Sequence, residues 1–136
     1  MKQSLSRAVK ERARFCCEYC FAQLEFSSDS FSIEHITPRI KNGLTVLENL
    51  AFSCQRCNNH KFTATESIDP ISGSTAPLYN PRTDIWAKHF EWKEDYTEIL
   101  GITPKGRATV LRLQLNRNGL VNLRMVLHQF GFHPPF

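Results

Sequence analysis

Residues 32–61 read SIEHITPRIKNGLTVLENLAFSCQRCNNHK, and this stretch decides the fold. It ends in a Cys-x-x-Cys pair, and a second such pair lies upstream. Each pair can form a tight turn that points two sulfur atoms at one ion, and two such turns complete the tetrahedron that Zn²⁺ prefers. The sequence therefore predicts a structural zinc site that closes the intervening segment into a loop with pinned ends. The expected ligands are Cys17, Cys20, Cys54 and Cys57.

A redox role for one of these pairs is the alternative interpretation. It requires a reactive pair that opens a helix in a βαβ context, and the sequence shows no such context. A fifth cysteine, Cys16, either exchanges with a zinc ligand or is simply buried. A site saturated by four thiolates has no open position, so this zinc is expected to hold the fold and to take no part in chemistry.

The residues inside the loop predict a strand, loop, strand and helix in that order. The first strand alternates, with His35 on the same face as Phe31 and Ile33, and Glu34 on the opposite face. Pro38 ends this strand. The predicted elements are a strand at residues 31–36, a polar loop at 39–45, a return strand at 47–53 and a helix at 55–64.

This arrangement resembles the HNH endonucleases, which share a ββα-metal core that is often held by two Cys-x-x-Cys pairs. The family pattern is an acidic residue and His, then Pro, a Gly-bearing loop, Leu-x-Asn-Leu, and Cys-x-x-Cys followed by Asn or His and Lys. The resemblance covers residues 15–62 and implies an α+β fold with a zinc-stapled, treble-clef-like ββα-metal core. The matching residues are Glu34, His35, Pro38, Gly43, Leu47, Asn49, Leu50, Cys54, Cys57, Asn58, His60 and Lys61.

The resemblance implies roles for these residues in phosphodiester hydrolysis. His35 is the expected general base, since an imidazole with a pKa near ~6.5 takes a proton from water at neutral pH. Asn49 is expected to hold the strand–loop geometry and to orient His35. Glu34 and Asn58 are the expected oxygen ligands of one catalytic Mg²⁺ or Mn²⁺, which prefer hard donors. The acidic position is more often Asp in this family, which leaves the preferred cation open.

Three further basic or metal-binding positions follow from the same resemblance. His60 lies two residues after Asn58, about 200° around a helix, so the two side chains should not face one ion from a regular helix. Asn58 is the favoured ligand, and His60 remains a candidate for a metal or phosphate contact. Lys61 and Arg39 are expected to contact the DNA backbone.

The charge distribution agrees with a polyanionic partner. The chain has 136 residues and a formal net charge of +4. Basic residues cluster in residues 1–14 and again after Lys105, which suits phosphate neutralisation but also describes two solvated helix faces. The second cluster comprises Arg107, Arg112, Arg117 and Arg124.

The sequence shows neither the pattern of a membrane span nor that of a signal peptide, and this determines the expected cellular location. No apolar run reaches the roughly 18 residues of a membrane span, and the N-terminus lacks the apolar core of a signal peptide. A cytoplasmic location is expected, with DNA as partner and neither a membrane nor a small-molecule substrate. The oligomeric state is left open.

The remaining segments complete the expected domain organisation. The HNH core with an N-terminal helix is expected over residues 1–66, and residues 67–80, rich in Pro, Ser and Gly, form a linker or long loop. Residues 81–136 are expected to form a C-terminal extension packed on the core, with a hairpin followed by two helices, the first of which begins with Thr103 as cap and Pro104 at the first position. The aromatic residues of this extension form either a core or a base-stacking surface.

Two functions of different class follow from these observations. The first is a metal-dependent endonuclease that hydrolyses DNA phosphodiester bonds by a His-activated water. The alternative is a zinc-stapled nucleic-acid-binding module without catalytic activity. The intact set of Glu34, His35, Asn49 and Asn58 favours the endonuclease, because a binding-only module has no physical need for all four residues.

Overall fold

The architecture is α+β, as the sequence predicts. The computed structural model describes all residues from Met1 to Phe136. The strands pair as three antiparallel, two-stranded sheets: β1 (Phe31–His35) with β2 (Leu50–Cys54), β3 (Glu66–Ile68) with β4 (Thr75–Pro77), and β5 (Phe90–Trp92) with β6 (Ile99–Gly101). The helices are α1 (Gln3–Arg12), α2 (Gln55–Lys61), α3 (Trp86–His89), α4 (Pro104–Leu113) and α5 (Asn118–Gln129). None of the helices has the length and apolarity that crossing a membrane requires.

The chain divides into two compact units. The first comprises Met1–Thr65 together with Asn80–Thr83, and the second comprises Glu66–Tyr79 together with Asp84–Phe136. Residues 17–61, which include all the cysteines of the two pairs and the predicted hydrolytic residues, lie in the first unit.

The first unit is built on the β1–β2 hairpin. One face of the hairpin packs on α1, where Val9 and Ala13 form a buried cluster with Leu50 and Phe52. Every residue of β2 is buried. The register places Glu34 opposite Ala51 and His35 opposite Leu50. The alternation that the sequence predicts for β1 therefore leaves Glu34 on the face away from α1.

Two predicted boundaries in the first unit differ from the observed ones. The return strand begins at Leu50, because Leu47–Asn49 form a 3₁₀ turn. Helix α2 ends at Lys61 rather than at residue 64, since Phe62 adopts φ 51° and ψ −125°, a conformation outside the helical region. The helix is thus shorter by almost a turn than the sequence pattern suggests.

The stretch predicted as a linker or long loop contains the β3–β4 hairpin. Its tip is ordered by Asp69, whose carboxylate accepts hydrogen bonds from the backbone N–H groups of Ile71 and Ser72. Arg107 of α4 donates to both carboxylate oxygens, at 2.8 and 2.9 Å. These bonds order a Ser- and Gly-rich segment that propensity alone does not place in a strand.

The aromatic residues of the second unit form a core. Phe90 packs edge-on against Tyr79 and stacks on Trp86, which also contacts Trp92. Helix α4 begins as the sequence predicts, because the Thr103 hydroxyl accepts a hydrogen bond from the Gly106 N–H. Packing, rather than base stacking, explains these aromatic side chains.

Candidate functional site

Four cysteine sulfur atoms lie together in the first unit. Those of Cys17, Cys20, Cys54 and Cys57 all lie within 4.8 Å of one another, and the residues are at most 1% exposed. The Cys20 and Cys54 sulfurs are 3.7 Å apart, close to the ~3.8 Å expected between thiolates that surround Zn²⁺ at about 2.3 Å. Burial raises the pKa of the Cys17 thiol well above its ordinary value, so a cluster of thiolates here needs a cation. This donor set fits structural Zn²⁺.

Local structure brings these sulfurs together. Cys17 and Cys20 lie on a turn, which we call the first knuckle (residues 17–20). Cys54 is the last residue of β2, and Cys57 lies in the first turn of α2, with its N–H 3.5 Å from the Cys54 sulfur. The ion would therefore join the first knuckle to the junction of β2 and α2.

Cys16 lies outside the tetrad. Its sulfur is 3.4 Å from the Arg14 carbonyl oxygen, and the residue is 5% exposed. Burial raises the pKa of this thiol to about 11. Of the two alternatives for Cys16, the structure therefore agrees with simple burial.

His35 lies at the end of β1 and is partly exposed. Its Nε2 is 2.8 Å from the Thr45 hydroxyl oxygen. When Nε2 carries the proton and donates it to Thr45, Nδ1 is left unprotonated and able to accept a proton. Burial, with a smaller contribution from the positive charge of Arg39, lowers the pKa of His35 below its ordinary value of 6.5. The imidazole is therefore neutral at neutral pH.

Asn49 fastens the loop that carries Thr45. Its side-chain oxygen accepts from the Thr37 N–H at 2.9 Å, and its amide nitrogen donates to the carbonyls of Thr37 at 3.0 Å and Leu44 at 2.9 Å. These bonds close the loop at both ends. Asn49 therefore acts on the strand–loop geometry around His35, through Thr37 after the strand and through Leu44, the neighbour of Thr45.

Glu34 is buried, and its carboxylate is already bonded. Oε1 accepts a hydrogen bond from the Tyr19 hydroxyl group, and Oε2 lies 3.4 Å from the ammonium nitrogen of Lys61. Burial raises the pKa of Glu34, and the charge of Lys61 opposes that shift. Both oxygens of the predicted Mg²⁺ or Mn²⁺ ligand Glu34 therefore have a partner within the protein interior.

The two predicted DNA-backbone contacts have opposite surroundings. Arg39 is exposed, on a 3₁₀ turn at Arg39–Lys41. Lys61 is 1% exposed, and its ammonium group donates to the Ile36 carbonyl at 2.9 Å. A phosphate contact is therefore consistent with the position of Arg39 and inconsistent with that of Lys61, whose ammonium group is used inside the protein.

Asn58 and Lys61 share the face of α2 that contacts β1. The Asn58 amide nitrogen donates to the Ser32 hydroxyl oxygen at 3.2 Å, and Lys61, three residues on, reaches Glu34. His60 is partly buried and lies about 200° around the helix from Asn58. The helix thus turns Asn58 toward the strand that carries Glu34 and His35.

Three of the four arginines of the second basic cluster are engaged by groups of the second unit. Arg107 pairs with Asp69, and Arg117 donates to the carbonyls of Leu113 and Gln114 at the end of α4. Arg124 is 3% exposed and donates to the Thr97 carbonyl. These guanidinium groups are used within the second unit, because the helix ends and the hairpins there supply acceptors.

Two residues of the site carry no signal in the sequence. Tyr19 occupies one of the variable positions of a Cys-x-x-Cys pair, and Thr45 is one polar residue of a polar loop. Their contacts with Glu34 and His35 depend on loop closure, which residue spacing does not encode.

The comparison with protein families agrees with this geometry. Residues 17–63 match the family model described as HNH endonuclease. No curated protein and no solved structure matches the chain. The matched segment begins at the first cysteine of the tetrad and contains all four of its members, together with Glu34, His35, Asn49 and Asn58. The match covers about a third of the chain, and within residues 17–63 the chain is similar to an HNH endonuclease domain.

Proposed function

We propose that the protein hydrolyses DNA phosphodiester bonds and that His35 is the general base. The observation that carries the proposal is a partly exposed imidazole whose Nε2 lies 2.8 Å from the Thr45 hydroxyl oxygen, inside the segment that matches the HNH family. Neutral imidazole is the form that accepts a proton, and a lowered pKa favours that form at neutral pH.

The proposed step uses groups of this chain. Nδ1 of His35 takes a proton from a water molecule as the water oxygen bonds to phosphorus. The bond from phosphorus to the leaving oxygen breaks, and solvent protonates that oxygen. The exposed guanidinium of Arg39 supports the phosphate, since it presents planar donors that match phosphate oxygens. The family resemblance implies products with a 5′-phosphate and a 3′-hydroxyl.

The resemblance also implies a catalytic Mg²⁺ or Mn²⁺, which would neutralise charge at the phosphate. Glu34, one of its two expected ligands, has both oxygens occupied by Tyr19 and Lys61. Dependence of hydrolysis on a divalent cation is therefore a property to be measured, and no position in the protein is assigned to the cation.

A second candidate function is nucleic-acid binding without catalysis. The burial of the Glu34 carboxylate favours it, because a nuclease that used this group as a cation ligand would need it accessible. The neutral and partly exposed His35 favours hydrolysis, because a module that only binds nucleic acid does not need an imidazole fixed in position as a proton acceptor.

Nicking of a supercoiled plasmid separates the two functions. The protein is incubated with plasmid in Mg²⁺, Mn²⁺, Co²⁺ or Ni²⁺, and with linear duplex, single-stranded DNA and RNA as further substrates. We expect nicked circles with at least one cation. Retained DNA binding with no cleavage under any of these conditions would support the binding module instead.

A further inference from the structure

Three residues from three segments meet in the interior of the first unit, and the proposed hydrolysis uses none of them. Tyr19 lies on the first knuckle, Glu34 on β1 and Lys61 on α2. The side chains of Glu34 and Lys61 are 4% and 2% exposed, and Tyr19 is 2% exposed. Buried charges persist only when they are paired and hydrogen-bonded, so these contacts form one interdependent cluster.

The cluster holds the backbone on both sides of His35. Lys61 contacts the carboxylate of Glu34 and also donates to the carbonyl of Ile36 at 2.9 Å. Glu34 and Ile36 are the two neighbours of His35 in the chain. A single ammonium group therefore fixes the strand immediately before and immediately after the proposed base.

The same contacts leave no room for a cation at Glu34. Mg²⁺ loses its water molecules reluctantly and usually keeps several of them, which a carboxylate that is 4% exposed cannot accommodate. The ammonium group 3.4 Å away also repels a second positive charge. Entry of a cation would require Lys61 to leave and Tyr19 to give up its acceptor.

We infer that Glu34 is a positioning residue that fastens β1 to the first knuckle and to α2, and that it is not a ligand of the catalytic cation. The effect on catalysis rests on the proposed function, since it acts through the placement of His35. The structural part stands on the contacts among Tyr19, Glu34 and Lys61 alone.

A thermodynamic cycle on the ion pair tests the structural part. Glu34→Gln leaves the Lys61 ammonium group buried without a countercharge. Lys61→Met likewise leaves the Glu34 carboxylate buried without a countercharge. Each single variant should lower Tm by about 10 °C, and the double variant should lose clearly less than the sum of the two losses, although the Ile36 carbonyl still lacks its donor. Additive losses in the double variant would overturn the inference.

Cation binding and nicking by the folded double variant test the catalytic part. If Glu34 only positions, Glu34→Gln/Lys61→Met should bind Mn²⁺, measured by electron paramagnetic resonance, with a Kd within about threefold of wild type. Its nicking rate should fall by no more than about tenfold, with the half-maximal Mn²⁺ concentration unchanged. A folded double variant whose Kd for Mn²⁺ rises about tenfold or more would show that Glu34 is a ligand. If wild type nicks no DNA, the proposed function fails, while Tm and the Mn²⁺ Kd still decide the role of Glu34.

Discussion

The hydroxyl group of Tyr19 donates a hydrogen bond to the carboxylate of Glu34. Tyr19 lies between the zinc ligands Cys17 and Cys20, and Glu34 directly precedes His35. One side-chain contact thus links the first knuckle to the strand of the proposed base. A zinc that has no open position for chemistry can in this way still decide whether His35 is held in place.

Loss of a zinc ligand should unfold the first unit. The purified protein should contain about one Zn²⁺ per chain, because four buried thiols at these distances form one closed site. Cys54→Ser should lose the metal and also the part of the circular dichroism signal that comes from the folded first unit. Cys16→Ser is the matched control, since Cys16 is buried but lies outside the tetrad, and it should keep both. A zinc-free protein that stays folded would refute the metal site.

Gly43 is required by close approach of the backbone. A Cβ atom at this position would lie 1.7 Å from the Thr37 carbonyl oxygen, and Asn49 holds that carbonyl in place. Gly43→Ala should therefore lower the free energy of unfolding in urea by roughly 2 kcal/mol or more. Gly119→Ala is the control, because a Cβ there meets nothing within 4 Å, and it should be neutral or stabilising. Equal effects of the two substitutions would contradict this reading of Gly43.

Phe62 is strained by its backbone. It adopts φ 51° and ψ −125°, a region that favours glycine, and its side chain is 72% exposed, so little packing is lost when it is removed. Phe62→Gly should raise the free energy of unfolding by about 1 kcal/mol through relief of this strain. Phe62→Ala keeps a Cβ atom and should not show that gain. A glycine variant no more stable than the alanine variant would mean that the backbone is not strained here.

The pH dependence of nicking should report the lowered pKa of His35. The base must be neutral, and its pKa lies below the ordinary value of 6.5, so the rate should hold at neutral pH and fall only as pH drops below that value. Arg39→Ala removes the positive charge that is the smaller of the two causes of the lowered His35 pKa. The acidic limb should therefore move toward higher pH, but stay below 6.5 because burial still lowers the pKa. The rates are measured as kcat/KM, because its acidic limb reports the pKa of the free protein, and the midpoint of that limb is compared rather than the absolute rate. An acidic limb above pH 6.5 in wild type would contradict the assignment.

The parts of the fold that were predictable are those that local chemistry dictates. The cysteine spacing predicted the tetrad, the alternation of residues 31–36 predicted β1 and its faces, and Thr103 with Pro104 predicted the start of α4. Each of these signals is a short local pattern, and the two distant Cys-x-x-Cys pairs are joined because one Zn²⁺ takes four ligands.

The rest depended on contacts between distant residues. The position of Lys61 made it a reasonable phosphate ligand, and only the packing of α2 on β1 shows that Glu34 and Ile36 take its ammonium group. The β3–β4 hairpin depends in the same way on Arg107, which lies 38 residues from Asp69. Such partners are set by tertiary packing, which residue spacing alone does not reveal.

Nicking of supercoiled plasmid by wild type and by His35→Ala, purified identically, tests the proposed hydrolysis most directly. Because His35 is partly exposed, its removal should leave the fold intact by circular dichroism and the zinc content unchanged. Wild type should convert the plasmid to nicked circles, and the variant should be slower by about 100-fold or more, the usual loss when a general base is removed. A folded His35→Ala protein that nicks as fast as wild type would show that His35 is not the base.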